Sequence, residues 1–217
     1  MAKDGFDKLF EFQDPQNFFN LVNKITSPIS DEDLLSRGKD DEQKLQEALV
    51  ASPFALGFQK YISPIQIRMA TVQKNLMDFE LLSSDNTTLE FEIVMVLPPN
   101  RKLREEYQKG KQPEIAMAEF SGKPINPEWV ASQIRQKTEK AMRSDRFNGH
   151  LLVYMNVSGG TPDLLEVKRL ISDSESIWQS IWLIRGVPDM AVMVLLYNSH
   201  GFCCVVNDWL QINGING

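Results

Sequence analysis

The chain contains few of the residues that usually build metal or nucleophile sites. Only two cysteines and two histidines occur among its 217 residues. Cys203 and Cys204 are adjacent, so a strand would point them to opposite faces, and we expect small apolar residues rather than a zinc pair or a disulfide. His150 and His200 have no second histidine or carboxylate at ligand spacing, so we expect turn or surface histidines.

Several sequence signatures of common enzymes are missing as well. The chain has no GxxxxGK[ST] loop, no GxGxxG after a strand, no GxSxG and no HExxH, which argues against P-loop, Rossmann, serine-hydrolase and zinc-protease chemistry. No apolar run approaches the roughly 20 residues that span a bilayer, and the first residues do not resemble a signal peptide, so we expect no membrane contact and a cytoplasmic location. The net charge of −6 argues against a protein that coats nucleic acid, although a local basic surface stays possible.

The hydrophobic pattern predicts an α/β fold with a mixed central β-sheet flanked by helices. Residues 1–39 are acidic and are predicted to form a helical extension, and residues 40–217 a single α/β domain. The predicted strands are 65–69, 76–82, 89–97, 115–120, 151–157, 191–197 and 202–207. The predicted helices are 41–51, which Ser52-Pro53 would end, then 127–143, and one or two helices within 164–182.

Four acidic residues alternate along the predicted β-meander. Asp78 and Glu80 share one face of their strand, and Glu90 and Glu92 share a face of the next. Like charges across a sheet repel, so this face is either solvated or holds a cation. Apolar residues continue the second acidic face, which indicates a cover, and the helix at 127–143 is the obvious one.

That helix has a lysine where an apolar residue is expected. Val130, Ile134, Lys137 and Ala141 fall within one narrow arc at 100° per residue, and Gln133 lies on the flank of this arc. The Lys137 side chain either extends past the sheet to water or meets buried carboxylates. The acidic hairpin offers such carboxylates.

Four segments together resemble the PD-(D/E)xK nuclease superfamily of restriction-like and repair endonucleases. They are DEQKLQEALVASPFALG, LMDFELLSSDNTTLEFEIV, WVASQIRQKTEKA and HLLVYMNV, and they cover about residues 40–157. The resemblance implies a restriction-endonuclease-like core in which a helix with a glutamate precedes the meander, and a helix and a strand follow it. It also implies a Mg²⁺ or Mn²⁺ cofactor.

The resemblance assigns roles to particular residues. Glu42 matches the helix acid, Asp78 the strand aspartate and Glu92 the acid of the (D/E)xK tripeptide, so Asp78 and Glu92 would bind the metal. Glu42 is also an ordinary first-turn acid that the helix dipole favours. Val94 stands where the lysine should be, and Lys137 is the counterpart if the lysine lies on the following helix, as in some branches of the superfamily.

A second assignment of the acids is open. Glu119 ends the predicted strand before the helix, with Lys123 close by, so Glu92 and Glu119 could form the metal pair, and Glu90 and Gln133 are further alternatives. Lys123, Arg135 and Lys140 are candidate phosphate-binding residues, although a solvated surface of mixed charge explains them equally well.

The sequence therefore predicts a divergent metal-dependent nuclease-like protein that hydrolyses phosphodiester bonds of DNA, as an endonuclease or an exonuclease. The rival hypothesis is a non-catalytic protein-interaction module that retains a degenerate nuclease fold. A third is a homodimer whose interface includes Trp178, Trp182 and the closing strands.

Overall fold

The computed structural model describes residues 5–26, 39–63, 65–71, 77–98, 122–143, 149–157, 159–175, 177–187, 190–202 and 209–213. The predicted strand at 115–120, Glu119 and both cysteines lie outside these residues. A 3-10 helix spans Asp7–Phe10, and the α-helices are α1 (Pro15–Thr26), α2 (Lys39–Phe58), α3 (Pro127–Arg143), α4 (Leu164–Leu170) and α5 (Ser172–Glu175). The strands are β1 (Ile65–Met69), β2 (Phe79–Ser83), β3 (Thr88–Val96), β4 (His150–Met155), β5 (Ser180–Val187), β6 (Met190–Asn198) and β7 (Leu210–Asn213).

The seven strands form one sheet in which they are hydrogen-bonded in chain order, β1 to β7. The pairs β1–β2, β2–β3, β5–β6 and β6–β7 are antiparallel, and β4–β5 is parallel. The sheet is therefore mixed, and the predicted α/β class is confirmed. No helix among the described residues has the length and apolarity needed to cross a membrane.

The chain divides into two compact units, Met1–Glu92 and Ile93–Gly217. In the first unit, α1 buries Phe18, Phe19 and Val22 and contacts both α2 and β1. Gln13 pairs with Ile67 of β1 through two backbone hydrogen bonds, of 3.0 and 2.7 Å. The described part of the predicted extension thus packs into the first unit, and the boundary at residue 39 stays a prediction.

Helix α2 continues through Pro53 to Phe58, so the predicted stop at Ser52-Pro53 is wrong. A proline inside a helix costs about 3 kcal/mol because one hydrogen bond is lost. Phe54 and Phe58 are fully buried and pack against Phe79 and Phe91 with ring centroids 5.2 to 5.9 Å apart. Burying two such side chains contributes about 1.5–3 kcal/mol each, which offsets the cost of the proline.

In the second unit, the predictions of α3 at 127–143 and of one or two helices within 164–182 are confirmed by α3, α4 and α5, but the end of the second segment belongs to strand β5. Ile177/Ile181 and Trp178/Trp182 are spaced four apart, yet residues 180–187 form a strand. The side chains from Ile181 to Arg185 are all buried. A strand that is covered on both faces is a continuous apolar run without alternation, and spacing alone does not distinguish it from a helix.

Two glycines pack the loop after β4 against the loop before α3. The Gly160 amide donates to the carbonyl of Lys123 at 2.8 Å, and a Cβ on Gly160 would lie 2.5 Å from the carbonyl oxygen of Gly122. The buried guanidinium of Arg185 donates to the carbonyls of Gly160 and Gly159 at 2.8 and 2.7 Å. Residue 160 must therefore be a glycine, because the backbone of Gly122 leaves no room for a side chain there.

Candidate functional site

One carboxylate of the acidic hairpin is neutralised within the sheet. Glu80 lies opposite Arg68 of β1 and opposite Glu90 of β3, and it is buried while Glu90 is exposed. Arg68 binds the Oε2 atom of Glu80 through Nη2 at 2.5 Å and Nε at 2.6 Å, and its guanidinium lies 4.1 Å from the centre of the Phe12 ring. Glu80 is therefore an ion-pair partner of Arg68 rather than a free member of an acidic cluster.

Asp78 occupies the residue before β2, where two neighbouring strands fix its backbone. Its amide donates to the carbonyl of Phe91 at 2.8 Å, and its carbonyl accepts from the amide of Ala70 at 3.0 Å. Phe91 directly precedes Glu92, so Asp78 and Glu92 come from adjacent positions of paired strands. Both side chains are half-buried.

A lysine from α2 lies between Asp78 and a buried glutamate of the same helix. The Lys44 ammonium is 2.6 Å from Oε2 of Glu47 and 3.9 Å from Oδ1 of Asp78, and Gln43 donates to Oε1 of Glu47 at 2.8 Å. The side chains of Lys44, Glu47 and Asp78 are 13, 11 and 18% exposed. We call these three residues the Lys44 cluster.

Two negative groups share one positive group in the Lys44 cluster. Burial raises the pKa of Glu47, and the charge of Asp78 raises it further, while Lys44 acts in the opposite direction.

Asp78 and Glu92 are carboxylates, the kind of donor that a hard divalent cation prefers. Mg²⁺ in proteins takes oxygen ligands, commonly one or two carboxylates together with substrate phosphates and waters. The Lys44 ammonium already places one positive charge beside the Asp78 carboxylate. Within the described ranges, no three Asp, Glu, His or Cys side chains come close enough to hold a metal.

The helix acid near Asp78 is Glu47, which the sequence analysis missed. Glu47 precedes Ala51, Phe54 and Phe58 by four, seven and eleven residues, so all four share one helix face. This periodicity could have identified Glu47 as a residue of the buried helix face. The predicted helix ends at residue 51, however, so Phe54 and Phe58 are not counted on that face. Glu42 lies five residues earlier on α2, and its side chain is outside the described part of the chain.

The other sequence-predicted residues lie on α3, in the second unit. Val130, Ile134 and Ala141 are buried as predicted, whereas Lys137 and Gln133 are half-buried. A meeting of Lys137 with Asp78 and Glu92, which belong to the first unit, stays a prediction.

Arg135, a candidate phosphate-binding residue, is engaged within the second unit. Arg135 forms an ion pair with Glu128 and donates to the carbonyl of Leu170 at 3.1 Å. Lys123 and Lys140 are exposed, as a contact with a phosphate requires.

The expectation that both histidines lie at turns or the surface is wrong for His150. This residue is 1% exposed on β4, while His200 is exposed at a bend. Ser180 Oγ accepts from Trp182 Nε1 at 2.8 Å and shares a hydrogen bond of 2.8 Å with His150 Nδ1. Burial, and secondly the nearby His200, lower the pKa of His150 to about 3.

The two tryptophans proposed for a dimer interface are buried within the chain itself. Trp182 is 0% and Trp178 2% exposed, and the Trp178 indole donates to Thr138 Oγ1 at 2.9 Å. Neither indole offers surface to a second copy.

No family model matches this chain, and neither a curated protein nor a solved structure matches it. Its function is therefore inferred from the geometry around Asp78.

Proposed function

We propose that this protein is a divergent metal-dependent nuclease-like protein that hydrolyses phosphodiester bonds of DNA. The order of elements supports the proposal, because helix α2, the meander β1–β3, helix α3 and strand β4 follow one another as the PD-(D/E)xK resemblance implies. This order alone does not establish activity, since a fold carries many functions.

The observation that carries the proposal is the Lys44 cluster. A glutamate from the helix before the meander and an aspartate at its second strand share one ammonium, and Glu92 follows the residue that binds the Asp78 amide. Like charges that lie close together in a partly buried site destabilise the fold. Such sites are often functional, because another benefit then has to maintain them.

Each residue would have a distinct task. Asp78 and Glu92 would hold Mg²⁺ or Mn²⁺, which lowers the pKa of a bound water and stabilises the charge that develops on the phosphate. Lys44 would orient the phosphate or the water beside Asp78, a role for which Lys137 is the other candidate. Lys123 and Lys140 would contact the DNA backbone.

Nicking of supercoiled plasmid in Mn²⁺ or Mg²⁺ tests this function. The wild type should cut only with metal, and Asp78→Asn and Glu92→Gln should each reduce the rate at least about a hundredfold by removing a ligand charge. Glu139→Gln, which removes an exposed carboxylate from α3, is the matched control and should cut normally. Comparable rates in all four proteins would refute the assignment.

The choice between the two lysines needs a separate pair of variants. Lys137→Met and Lys44→Met each remove one ammonium and keep much of the apolar stem. The variant that loses cleavage while its circular dichroism stays unchanged identifies the lysine that acts in the reaction.

A second candidate function is a non-catalytic protein-interaction module with this fold. It is favoured by the ion pair of Lys44 with Glu47, which already neutralises one carboxylate, and by two exposed apolar side chains in the second unit, Leu165 and Met142. A purified wild type that cuts neither plasmid nor single-stranded DNA with any divalent metal would support this candidate.

A further inference from the structure

A turn at residues 198–202 covers a buried histidine in the second unit. His150 is 1% exposed on β4, and the rings of His200 and Phe202 in the turn lie 5.1 and 5.5 Å from its ring, centre to centre. Phe202 also packs against Trp182 of β5 at 5.9 Å. Because His200 is exposed while His150 is not, the turn stands between the His150 imidazole and water.

We propose that this turn is an acid-released cover, which moves away from the sheet when His150 takes up a proton. The device belongs to the second unit and does not depend on the function proposed for Asp78. Two titratable rings meet in it, since His200 faces His150 from the turn, and two imidazolium rings at this distance repel each other. Phe202 from the turn and Ser180 from β5 also face His150, and neither carries a charge that could neutralise an imidazolium.

The turn holds its own shape. Asn198 Oδ1 accepts from the amides of Gly201 and Phe202 at 3.0 and 3.2 Å, and Asn198 Nδ2 donates to the carbonyl of Phe202 at 3.0 Å. Gly201 adopts a φ of +88°, a conformation that glycine reaches without strain. These bonds all lie within residues 198–202, so the turn can move as one body about Asn198, the last residue of β6.

Gln179 ties the turn to the sheet. Its carbonyl accepts from the amides of Ser199 and His200 at 2.9 and 3.1 Å, and its side-chain oxygen lies 3.0 Å from Nδ1 of His200. Ser199 Oγ donates to the same carbonyl at 3.0 Å. Gln179 precedes β5, whose pairing with β6 includes Ser180 and Asn198, so these contacts can break while the strands stay paired. An opening of the turn is then a local event.

Proton uptake favours the open turn. While the turn is closed, burial and secondly His200 lower the pKa of His150, because an imidazolium there is shut off from water. Once the turn is open, water reaches the ring, and its pKa returns toward the ordinary value of about 6.5. The open state therefore binds a proton that the closed state rejects. By this linkage the ratio of open to closed molecules rises about twentyfold between pH 7 and pH 5.

Amide hydrogen exchange of the full chain, followed by NMR, measures the opening. The reporters are the amides of Ser199 and His200, which lose their acceptor on Gln179 when the turn opens. Their protection factors, corrected for the intrinsic pH dependence of exchange, should fall about twentyfold from pH 7 to pH 5. The amides of Gly201 and Phe202, whose acceptor moves with them, should keep theirs. Low urea should change all four little, because a local opening exposes little surface.

Two substitutions identify His150 as the sensor. In His150→Asn the titrating ring is gone, so the amides of residues 199 and 200 should keep nearly the same protection at both pH values. His200→Asn removes the contact with the Gln179 side chain, so the turn should be more open at both pH values. Most of the fall should remain in this variant, because His150 is still present. Circular dichroism verifies that both variants are folded.

The wild type alone can overturn the proposal, which it does if the protection of the Ser199 and His200 amides is the same at pH 7 and pH 5. An equal fall in wild type and His150→Asn would assign the response to another group and overturn the proposal as well. A fall that the Gly201 and Phe202 amides share, and that low urea enlarges, would also overturn it, because the whole unit would then unfold in place of a moving cover.

Discussion

His150 should make the second unit sensitive to mild acid. In the unfolded chain an imidazole has a pKa near 6.5, whereas in the folded protein burial and the nearby His200 lower the pKa of His150 to about 3. Between these two values the unfolded state binds a proton that the folded state does not, so stability is complete above pH 6.5 and falls as the pH decreases toward 3.

The size of the effect follows from the pKa difference. Each pH unit within this range costs about 1.4 kcal/mol, and the imidazole of the unfolded chain is already partly protonated at pH 7. Lowering the pH from 7 to 5 should therefore remove about 2 kcal/mol of unfolding free energy through His150. For a chain of this length that corresponds to a decrease in Tm of about 4–8 °C.

Carboxylates also titrate below pH 5, so the effect has to be isolated by substitution. His150→Asn keeps a side chain that can hydrogen-bond with the Ser180 hydroxyl and removes the titrating ring. Urea unfolding, followed by the fluorescence of the buried Trp178 and Trp182, should show a smaller loss between pH 7 and pH 5 in His150→Asn, by about 2 kcal/mol. His200→Asn removes an exposed histidine and should keep most of the loss. Equal losses in wild type and His150→Asn would refute the reasoning.

Two further substitutions test packing in the second unit by urea unfolding. Gly160→Ala places a Cβ 2.5 Å from the Gly122 carbonyl oxygen and should cost about 1–3 kcal/mol, as overpacking does; an unchanged midpoint would contradict this close approach. Thr138→Val deprives the buried Trp178 indole of its acceptor and should cost about 1–3 kcal/mol, and a neutral result would mean that the indole finds another acceptor.

Local patterns predicted the elements that are amphipathic and bounded by clear signals. Helix α3 begins at Pro127, its apolar stripe is buried as predicted, and β1 spans the predicted residues. The failures come from tertiary packing. Helix α2 passes Pro53 because aromatic side chains beyond the proline enter the core, and β5 is apolar on both faces because the sheet is covered there.

The candidate site was predictable in part. Strand alternation places Asp78 and Glu92 on the meander, but alternation says nothing of partners from other elements. Arg68 neutralises Glu80 across β1 and β2, and Lys44 reaches Asp78 from α2. Ion pairs between side chains of distant segments depend on the register of the strands and on the length of the helix. The hydrophobic pattern of a single segment determines neither.

The most direct test of the central claim is single-turnover cleavage of end-labelled DNA in Mn²⁺ by the wild type and by Asp78→Asn. We expect the wild type to cut only when Mn²⁺ is present, to stop on addition of EDTA, and to lose at least about a hundredfold in rate when Asp78 is neutralised. Cleavage that continues in EDTA, or that proceeds equally fast in Asp78→Asn, would contradict a metal-dependent site at Asp78.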